Sequence, residues 1–379
     1  MSRSRWRWLA SGAALVAATT MGATQAAVAQ AQTQAPAATK APAATKAAAA
    51  KAPAAAEAAA ATPYRAWPRQ VYAPYYESWL SGSIATSAQQ SGSRYETIAF
   101  LQTASAGSCA LTWNGNASDP VPGNTFATDI ASLQRRGGNV IPSFGGYTAD
   151  TTSTEIADSC TDVNAIAADY EAVITTYHVT RLDMDVEGDS LTNTAGIARR
   201  NQALKLVEQW AARRHQPLQV QYTLPVEPTG LTASDLAVLA NAAATGTRVD
   251  VVNIMTFDYY LASEPSPLAM GADAISAAEN AHTQLASVYP HASSARRWAL
   301  EGITLMPGID DYPGGTEVTQ LADAQQVLNF ARGHGLALLS IWAIQRDNGG
   351  CPGTVGASTC SGLAQNPWDF SHVLERFDR

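Results

Sequence analysis

From residue 64 onward the chain alternates between two kinds of apolar pattern. Short runs rich in β-branched and aromatic residues occupy positions 70–75, 97–103, 139–144, 180–186, 218–224, 250–257, 299–306 and 337–343, and these eight runs read as strands. Between most of them apolar residues recur at helical spacing. The stretch 127–136 places Ile130 and Leu133 on one face, 163–177 carries Ile166, Tyr170 and Val173, and 195–214 carries Ile197, Leu204, Val207 and Trp210; 274–288 and 318–331 behave alike. Several of these stretches stop at glycine or a basic residue, as in Arg135-Arg136-Gly137-Gly138 and Arg332-Gly333-His334-Gly335, a common helix ending. Strand alternating with helix predicts a parallel sheet in an α/β fold. Eight such units favour closure into one (β/α)8 barrel over an open doubly wound sheet. No G-x-G-x-x-G follows the first run, which removes the main support for a dinucleotide fold.

The first 63 residues break this pattern. Residues 1–29 join a basic start (Arg3, Arg5, Arg7), a short weakly apolar stretch and Ala27-Val28-Ala29 before Gln30, the layout of a cleavable secretory signal peptide. A membrane anchor is the competing reading, but the stretch is short and rich in Ala, Thr and Gly, a poor bilayer span. In residues 30–63, Ala35-Pro36-Ala37-Ala38-Thr39-Lys40 repeats at once as Ala41-Pro42-Ala43-Ala44-Thr45-Lys46. With no large apolar residue before Tyr64, this segment cannot offset its ordering entropy by burial. It is expected to be a spacer or a passive tail, and 64–379 to be the (β/α)8 domain.

Charge and cysteines narrow the function. The net charge is -8, and loss of the leader's three arginines would make it about -11. An acidic exported chain without a basic cluster is a poor nucleic-acid binder; a neutral polysaccharide suits it better. The four cysteines, Cys109, Cys160, Cys351 and Cys360, predict two disulfides in an oxidising compartment, with three pairings possible. Cys351 and Cys360 lie nine apart in a Gly-rich loop, which favours pairing them and leaves Cys109 with Cys160. A zinc site is poorly supported, because no C-x-x-C pair or nearby histidine accompanies these thiols.

The fourth run ends in Leu182-Asp183-Met184-Asp185-Val186-Glu187. Spacing of two puts the three acids on one face of a strand, and in a barrel that face is the interior. Three crowded carboxylates disfavour joint ionisation, so at least one is pushed towards the protonated form. Glu187 is the outermost, with Asp185 roughly 7 Å deeper by the strand rise. A protonated acid at a strand mouth is what glycosidic bond cleavage requires. A Mg2+ or Ca2+ site and an exposed edge strand stay open as readings of the run alone.

The run resembles the strand-four signature D-G-x-D-x-D-x-E of the family 18 glycoside hydrolases, the chitinases and their relatives. Asp183-Met184-Asp185-Val186-Glu187 matches its last five positions, while Thr180 and Arg181 stand where the leading Asp-Gly would be. Ser143-Phe144-Gly145-Gly146 is similar to the family's S-x-G-G, Ala73-Pro74-Tyr75-Tyr76-Glu77-Ser78-Trp79 to its first-strand segment, and Met255-Thr256-Phe257-Asp258 to its M-x-Y-D with Phe257 in place of Tyr. Trp342 stands where the family places the tryptophan that floors the central sugar site.

The resemblance implies retaining, substrate-assisted hydrolysis of β-1,4-N-acetylglucosamine linkages in chitin or chitooligosaccharides, without a cofactor. It makes Glu187 the general acid and base, Asp185 the partner of the substrate's acetamido group, and Asp183 the residue that tunes Asp185. It also implies substrate contacts from Ser143, Gly145, Met255, Asp258, Trp342, Tyr75 and Trp79. Because phenylalanine lacks the hydroxyl that binds the acetamido oxygen, Tyr259 or Tyr222 is expected to replace it. Loss of such a donor costs about 3–4 kcal/mol. Trp113, in a Gly/Asn loop, is a further stacking candidate; Trp210 and Trp298 read as packing residues. His178, His215, His282, His291, His334 and His372 lack ligand spacing and read as helix-end or surface groups, so no metal is expected. The expectation is a secreted or cell-envelope monomer. Alternatives are a non-catalytic sugar-binding barrel, an endo-β-N-acetylglucosaminidase acting on N-glycans, and a metal-dependent enzyme using the acidic run as ligands.

Overall fold

A computed structural model describes residues 64–259, 269–311 and 316–378. The expected signal peptide and spacer lie outside the described residues. The strands are β1 (Val71–Tyr72), β2 (Tyr75–Glu77), β3 (Tyr95–Thr103), β4 (Leu111–Trp113), β5 (Asn139–Gly145), β6 (Arg181–Asp185), β7 (Gln219–Pro225), β8 (Val251–Met255), β9 (Glu301–Leu305), β10 (Gly308–Ile309), β11 (Val318–Thr319) and β12 (Leu338–Ile341). Each of the eight expected runs contains or overlaps one of these.

The main sheet is parallel and curled, in the order β1-β12-β9-β8-β7-β6-β5-β3-β2. Its two ends meet in one segment of chain. The first expected strand is split at Ala73-Pro74: Ala73 N–H donates to Leu339 O, then Pro74 O accepts from Thr97 N–H. Proline has no N–H with which to continue the ladder, so the segment changes partner there, from β12 to β3. β4 adds antiparallel to β3, and β10 with β11 forms a separate hairpin.

Helices cover the outer face. The helix Val163–Tyr177 starts where Asp162 accepts the N–H groups of Asn164 and Ala165, and it buries Ile166, Tyr170, Val173 and Ile174, as its spacing predicts. Thr194–Arg213 buries Ile197, Leu204, Val207 and Trp210. The stretch expected to be helical from 318 is instead strand at 318–319 and helix from Leu321, because the Asp323 carboxylate accepts the Gln320 N–H at 2.7 Å and sets the start. The alanine-rich helix Ala233–Thr245 has too weak a stripe to stand out in the sequence; Thr232 and Asp235 cap it and Gly246 ends it.

Disulfides join Cys109 to Cys160 and Cys351 to Cys360, the pairing favoured above. Trp113 is a core residue, not a sugar platform: it is buried on β4 and its indole N–H donates to the Tyr177 hydroxyl at 2.9 Å. His282 departs from the surface reading. It is buried, stacked on Trp298 at 3.7 Å, with Nδ1 2.7 Å from Glu301 Oε1 and Nε2 2.9 Å from Ser294 Oγ. No helix among the described residues is long and apolar enough to cross a membrane.

Candidate active site

The parallel register sets the floor of the site. Asp183 lies level with Ser143 of β5 and Gln221 of β7, and Asp185 with Gly145 and Thr223. Because side chains alternate along a strand, Ser143, Asp183 and Thr223 enter the same interior. Asp183 is fully buried and held by hydroxyls from three strands. Tyr75 Oη (2.8 Å) and Ser143 Oγ (2.7 Å) donate to its Oδ2, and Thr223 Oγ1 (2.7 Å) donates to Oδ1. Burial pushes its carboxyl up, and these donors pull it back. Asn253 and Thr304 extend the network: Asn253 Nδ2 donates to Thr223 Oγ1 at 3.1 Å and to Thr304 Oγ1 at 2.7 Å.

One rung higher, Asp185 has no such set of donors. It is buried, and its Oδ1 has no hydrogen-bond partner. Burial raises its pKa well above the carboxylate range, reinforced by the charges of Glu187, Asp183 and Asp150. Glu187 follows the end of β6 and is partly exposed in the cleft. Its carboxyl is pushed up to about 7, first by burial; the Tyr147 N–H opposes the rise and Asp311 adds to it. The ladder therefore runs from a buried, well hydrogen-bonded aspartate at the bottom, through a proton-holding aspartate, to an acid poised near neutrality at the mouth.

The cleft above this ladder has a volume of about 680 Å3. Trp79, Phe100, Gly145, Tyr147, Met255, Phe257, Asp258, Asp311 and Trp342 line it with Asp185 and Glu187. Phe100 stacks on Trp342 (5.5 Å between centroids, 20°) and on Trp79 (6.0 Å, 25°), so three rings form one continuous wall. Trp79 is 47% exposed and Tyr147, at the start of the short helix after β5, 66% exposed; both present apolar faces to the cleft, as pyranose stacking requires. Two smaller hollows, of about 370 and 360 Å3, lie at the opposite ends of the strands around Trp67, Gln219 and Asp250, away from the carboxylates.

Among the residues expected at the site, Glu187, Asp185, Gly145, Met255, Asp258, Trp79 and Trp342 line this cleft. Ser143 and Tyr75 do not: both are buried beneath it and reach Asp183 instead. Tyr222 is on the wrong face. It is level with Met184, and its hydroxyl donates to Asn201 Oδ1 at 2.5 Å in the helix behind the sheet. Tyr259 also misses the cleft. The strand ends at Met255 and Asp258 adopts φ 51°, so the period of two no longer holds; the Tyr259 ring is buried near Asp273 and Glu317. Neither tyrosine replaces the hydroxyl missing at Phe257.

Phe100, Asn253 and Tyr147 carried no signal in sequence spacing. Nor did Asp150, whose Oδ2 accepts the Glu187 N–H at 2.5 Å. A second acidic group, Asp258, Asp310 and Asp311, brings one carboxylate oxygen from each residue within 4.8 Å of the others. Asp258 is pushed up to about 10, chiefly by burial and then by hydrogen bonding and charge from Asp310. This trio, rather than Asp183, Asp185 and Glu187, is the group among the described residues with cation-ligand spacing. The Asp183 oxygens are already occupied by three hydroxyl donors, which does not suit a metal ligand.

The arrangement has counterparts in known proteins. Residues 71–299 match Glycosyl hydrolases family 18. A probable bifunctional chitinase/lysozyme of Escherichia coli (strain K12) is 34% identical over 328 residues, 84% of this chain and 36% of that protein. Endochitinase 11 of Metarhizium anisopliae is 33% identical over 293 residues, 76% of this chain and 54% of that protein. The chain thus spans about a third and about half of these two relatives. A solved structure of active domain 2 of a thermostable chitinase from Pyrococcus furiosus, complexed with chito-oligosaccharides, superposes with TM-score 0.71 at 30% identity and covers 84% of this chain and 97% of that one. With the family match spanning more than half of the residues and the acidic ladder at the mouth of a curled parallel sheet, the chain belongs to glycosyl hydrolases family 18.

Proposed function

We propose that this protein is an exported chitinase. Its closed (β/α)8 barrel hydrolyses β-1,4-N-acetylglucosamine linkages with retention, by substrate-assisted catalysis. The observation that carries this reading is the pairing of a cleft-lining acid poised near pH 7, Glu187, with a buried, proton-holding Asp185 immediately beneath it. Glu187 protonates the leaving glycosidic oxygen. The substrate's 2-acetamido carbonyl attacks the anomeric carbon, and Asp185 faces the acetamido N–H and stabilises its developing charge. The Asp183 oxygens, fixed by Tyr75, Ser143 and Thr223, provide the counter-site for the proton that Asp185 shares. Water then enters with Glu187 as base. Trp342, Phe100 and Trp79 supply the stacking wall.

The test is hydrolysis of a chitooligosaccharide by the wild-type protein and by Glu187→Gln. Loss of at least about 1000-fold in kcat with binding retained supports the reading, since general acid–base catalysis is worth up to about 10000-fold. Equal rates would sink it. Phe257 favours one second reading, a sugar-binding barrel without turnover, because no tyrosine among the described residues lines the cleft to contact the acetamido oxygen except the exposed Tyr147. Binding without hydrolysis by the wild type would establish that alternative. The lysozyme part of the Escherichia coli relative's name makes peptidoglycan the first competing substrate to compare.

A further inference from the structure

Glu187 sits just beyond its strand, where the ladder no longer holds the backbone. It has extended backbone (φ -132°, ψ 179°) and is followed by Gly188 at φ 45°. A catalytic acid on such a segment needs another restraint, because a misplacement of about 1 Å can cost 100-fold in rate. Two buried or half-buried acids from the segment after β5 supply it. Asp150, 1% exposed in the short helix Tyr147–Thr151, accepts the Glu187 N–H on Oδ2 at 2.5 Å. Asp158 accepts the Ser190 hydroxyl, and its Oδ1 accepts from Asn193 Nδ2 at 2.9 Å.

The surroundings show that Asp150 is held rather than merely accommodated. Its backbone N–H donates to Gly146 O at 3.0 Å. A Cβ on Gly145 would lie 3.2 Å from Asp150 Oδ1 and 2.1 Å from Asp185 O, so glycine there lets the Asp150 carboxyl pack against the β6 end. The charged groups facing it are Asp185, Glu187, Glu155 and Arg200. Glu155 and Arg200 form a fully buried pair at 2.9 Å. A carboxyl packed beside three other acids is unfavourable for stability alone, which indicates that its role is in the site.

We infer that Asp150 is a positioning residue for the catalytic acid: through its hydrogen bond to the Glu187 N–H it fixes where the Glu187 carboxyl enters the cleft. It contacts no reacting atom. The inference rests on the reading of Glu187 as the acid.

Asp150→Asn and Asp150→Ala in the full chain separate positioning from packing. Asparagine keeps a carbonyl oxygen for the Glu187 N–H; alanine leaves that N–H unpaired. On a chitooligosaccharide, Asp150→Ala is expected to lose roughly 100-fold in kcat with KM within about threefold, and Asp150→Asn to recover at least a tenfold share of that loss. Amide hydrogen exchange at Glu187 is read in parallel, with far-UV circular dichroism to confirm folding. It should be slow in the wild type and in Asp150→Asn and at least about tenfold faster in Asp150→Ala. Unchanged kcat or unchanged exchange in a folded Asp150→Ala would overturn the inference, as would equal damage by both substitutions. If the wild type fails to cleave the sugar, the hydrolase reading fails, and the exchange comparison still decides whether Asp150 fixes Glu187.

Discussion

Tyr75 and Asp183 meet across the barrel floor, the phenolic hydroxyl donating to Oδ2 at 2.8 Å although 108 residues separate them in the chain. The hydroxyl is a charge-assisted donor to the ionised form of Asp183. Tyr75→Phe removes it and leaves Ser143 and Thr223 as donors. The Asp183 pKa then rises, so the Asp183–Asp185 pair loses its first proton at higher pH. The acid limb of the kcat profile is expected to move up by roughly one pH unit, equivalent to 1.36 kcal/mol. On the acid side of that limb kcat should fall by about tenfold, the change that a one-unit shift produces there. An unmoved acid limb would separate Tyr75 from the titration of the pair.

In the proposed mechanism the position of Glu187 sets the other limb. Its carboxyl is pushed up from 4.5 to about 7, chiefly by burial, and a general acid acts only while protonated. Rate is therefore expected to fall as pH rises through about 7. Stability has the same sign. A carboxyl with a raised folded-state pKa contributes stability fully present below its unfolded value and lost as pH rises through the folded one. Glu187→Gln removes that loss, so at pH 8 its melting temperature should exceed that of the wild type by roughly 2–4 °C, the response of a domain of this size to about 1 kcal/mol. At pH 4 the two should coincide. Differential scanning calorimetry at both values checks this.

Much of the site was legible because strand period and motif order act locally. Spacing of two placed Asp183 and Asp185 inward, and the same rule could have excluded Tyr222. In β7 the apolar residues Val220, Tyr222 and Leu224 alternate with Gln221 and Thr223. In this barrel the apolar set faces the helices, and the polar set joins Asp183 inside. The Tyr259 expectation extended that period past the strand end, where the left-handed turn at Asp258 breaks it. Asp150, Phe100 and Asn253 were not legible at all, because their roles arise from contacts between segments far apart in the chain.

Two adjacent glycines hold separate parts of the cleft. Gly145 has φ 99°, and a Cβ there would lie 2.1 Å from the Asp185 carbonyl oxygen, a backbone atom that cannot move without shifting the ladder. Gly145→Ala is expected to cost about 1–3 kcal/mol of stability, as overpacking does, together with most of kcat. At Gly146 (φ 80°) the Cβ would meet the Phe100 ring at 2.5 Å, and Phe100 is the middle of the aromatic wall. Gly146→Ala should therefore act mainly on binding, raising KM by about tenfold, the loss of roughly one aromatic contact. Equal effects of the two substitutions on KM would contradict this division.

Phe257 is the remaining gap in the site. It lines the cleft with 7% of its surface exposed, beside Met255 and Asp258, where the family pattern carries tyrosine. The candidates that could have replaced the hydroxyl point elsewhere: Tyr222 towards Asn201, and Tyr259 towards Asp273 and Glu317. Restoring a donor should strengthen an interaction made as charge develops on the acetamido oxygen, and such donors are worth about 3–4 kcal/mol when fully aligned. Phe257→Tyr adds one oxygen at a position open to the cleft, so the cost in packing is small. It is expected to raise kcat on a chitooligosaccharide by at least about tenfold, less than the full value because the neighbouring Asp258 carboxyl competes for the new hydroxyl. KM should change little if the gain is confined to the transition state. A kcat equal to or below that of the wild type would mean that the acetamido oxygen already has its donor, and comparing Tyr147→Phe would then show whether that donor is Tyr147 on the opposite side of the cleft.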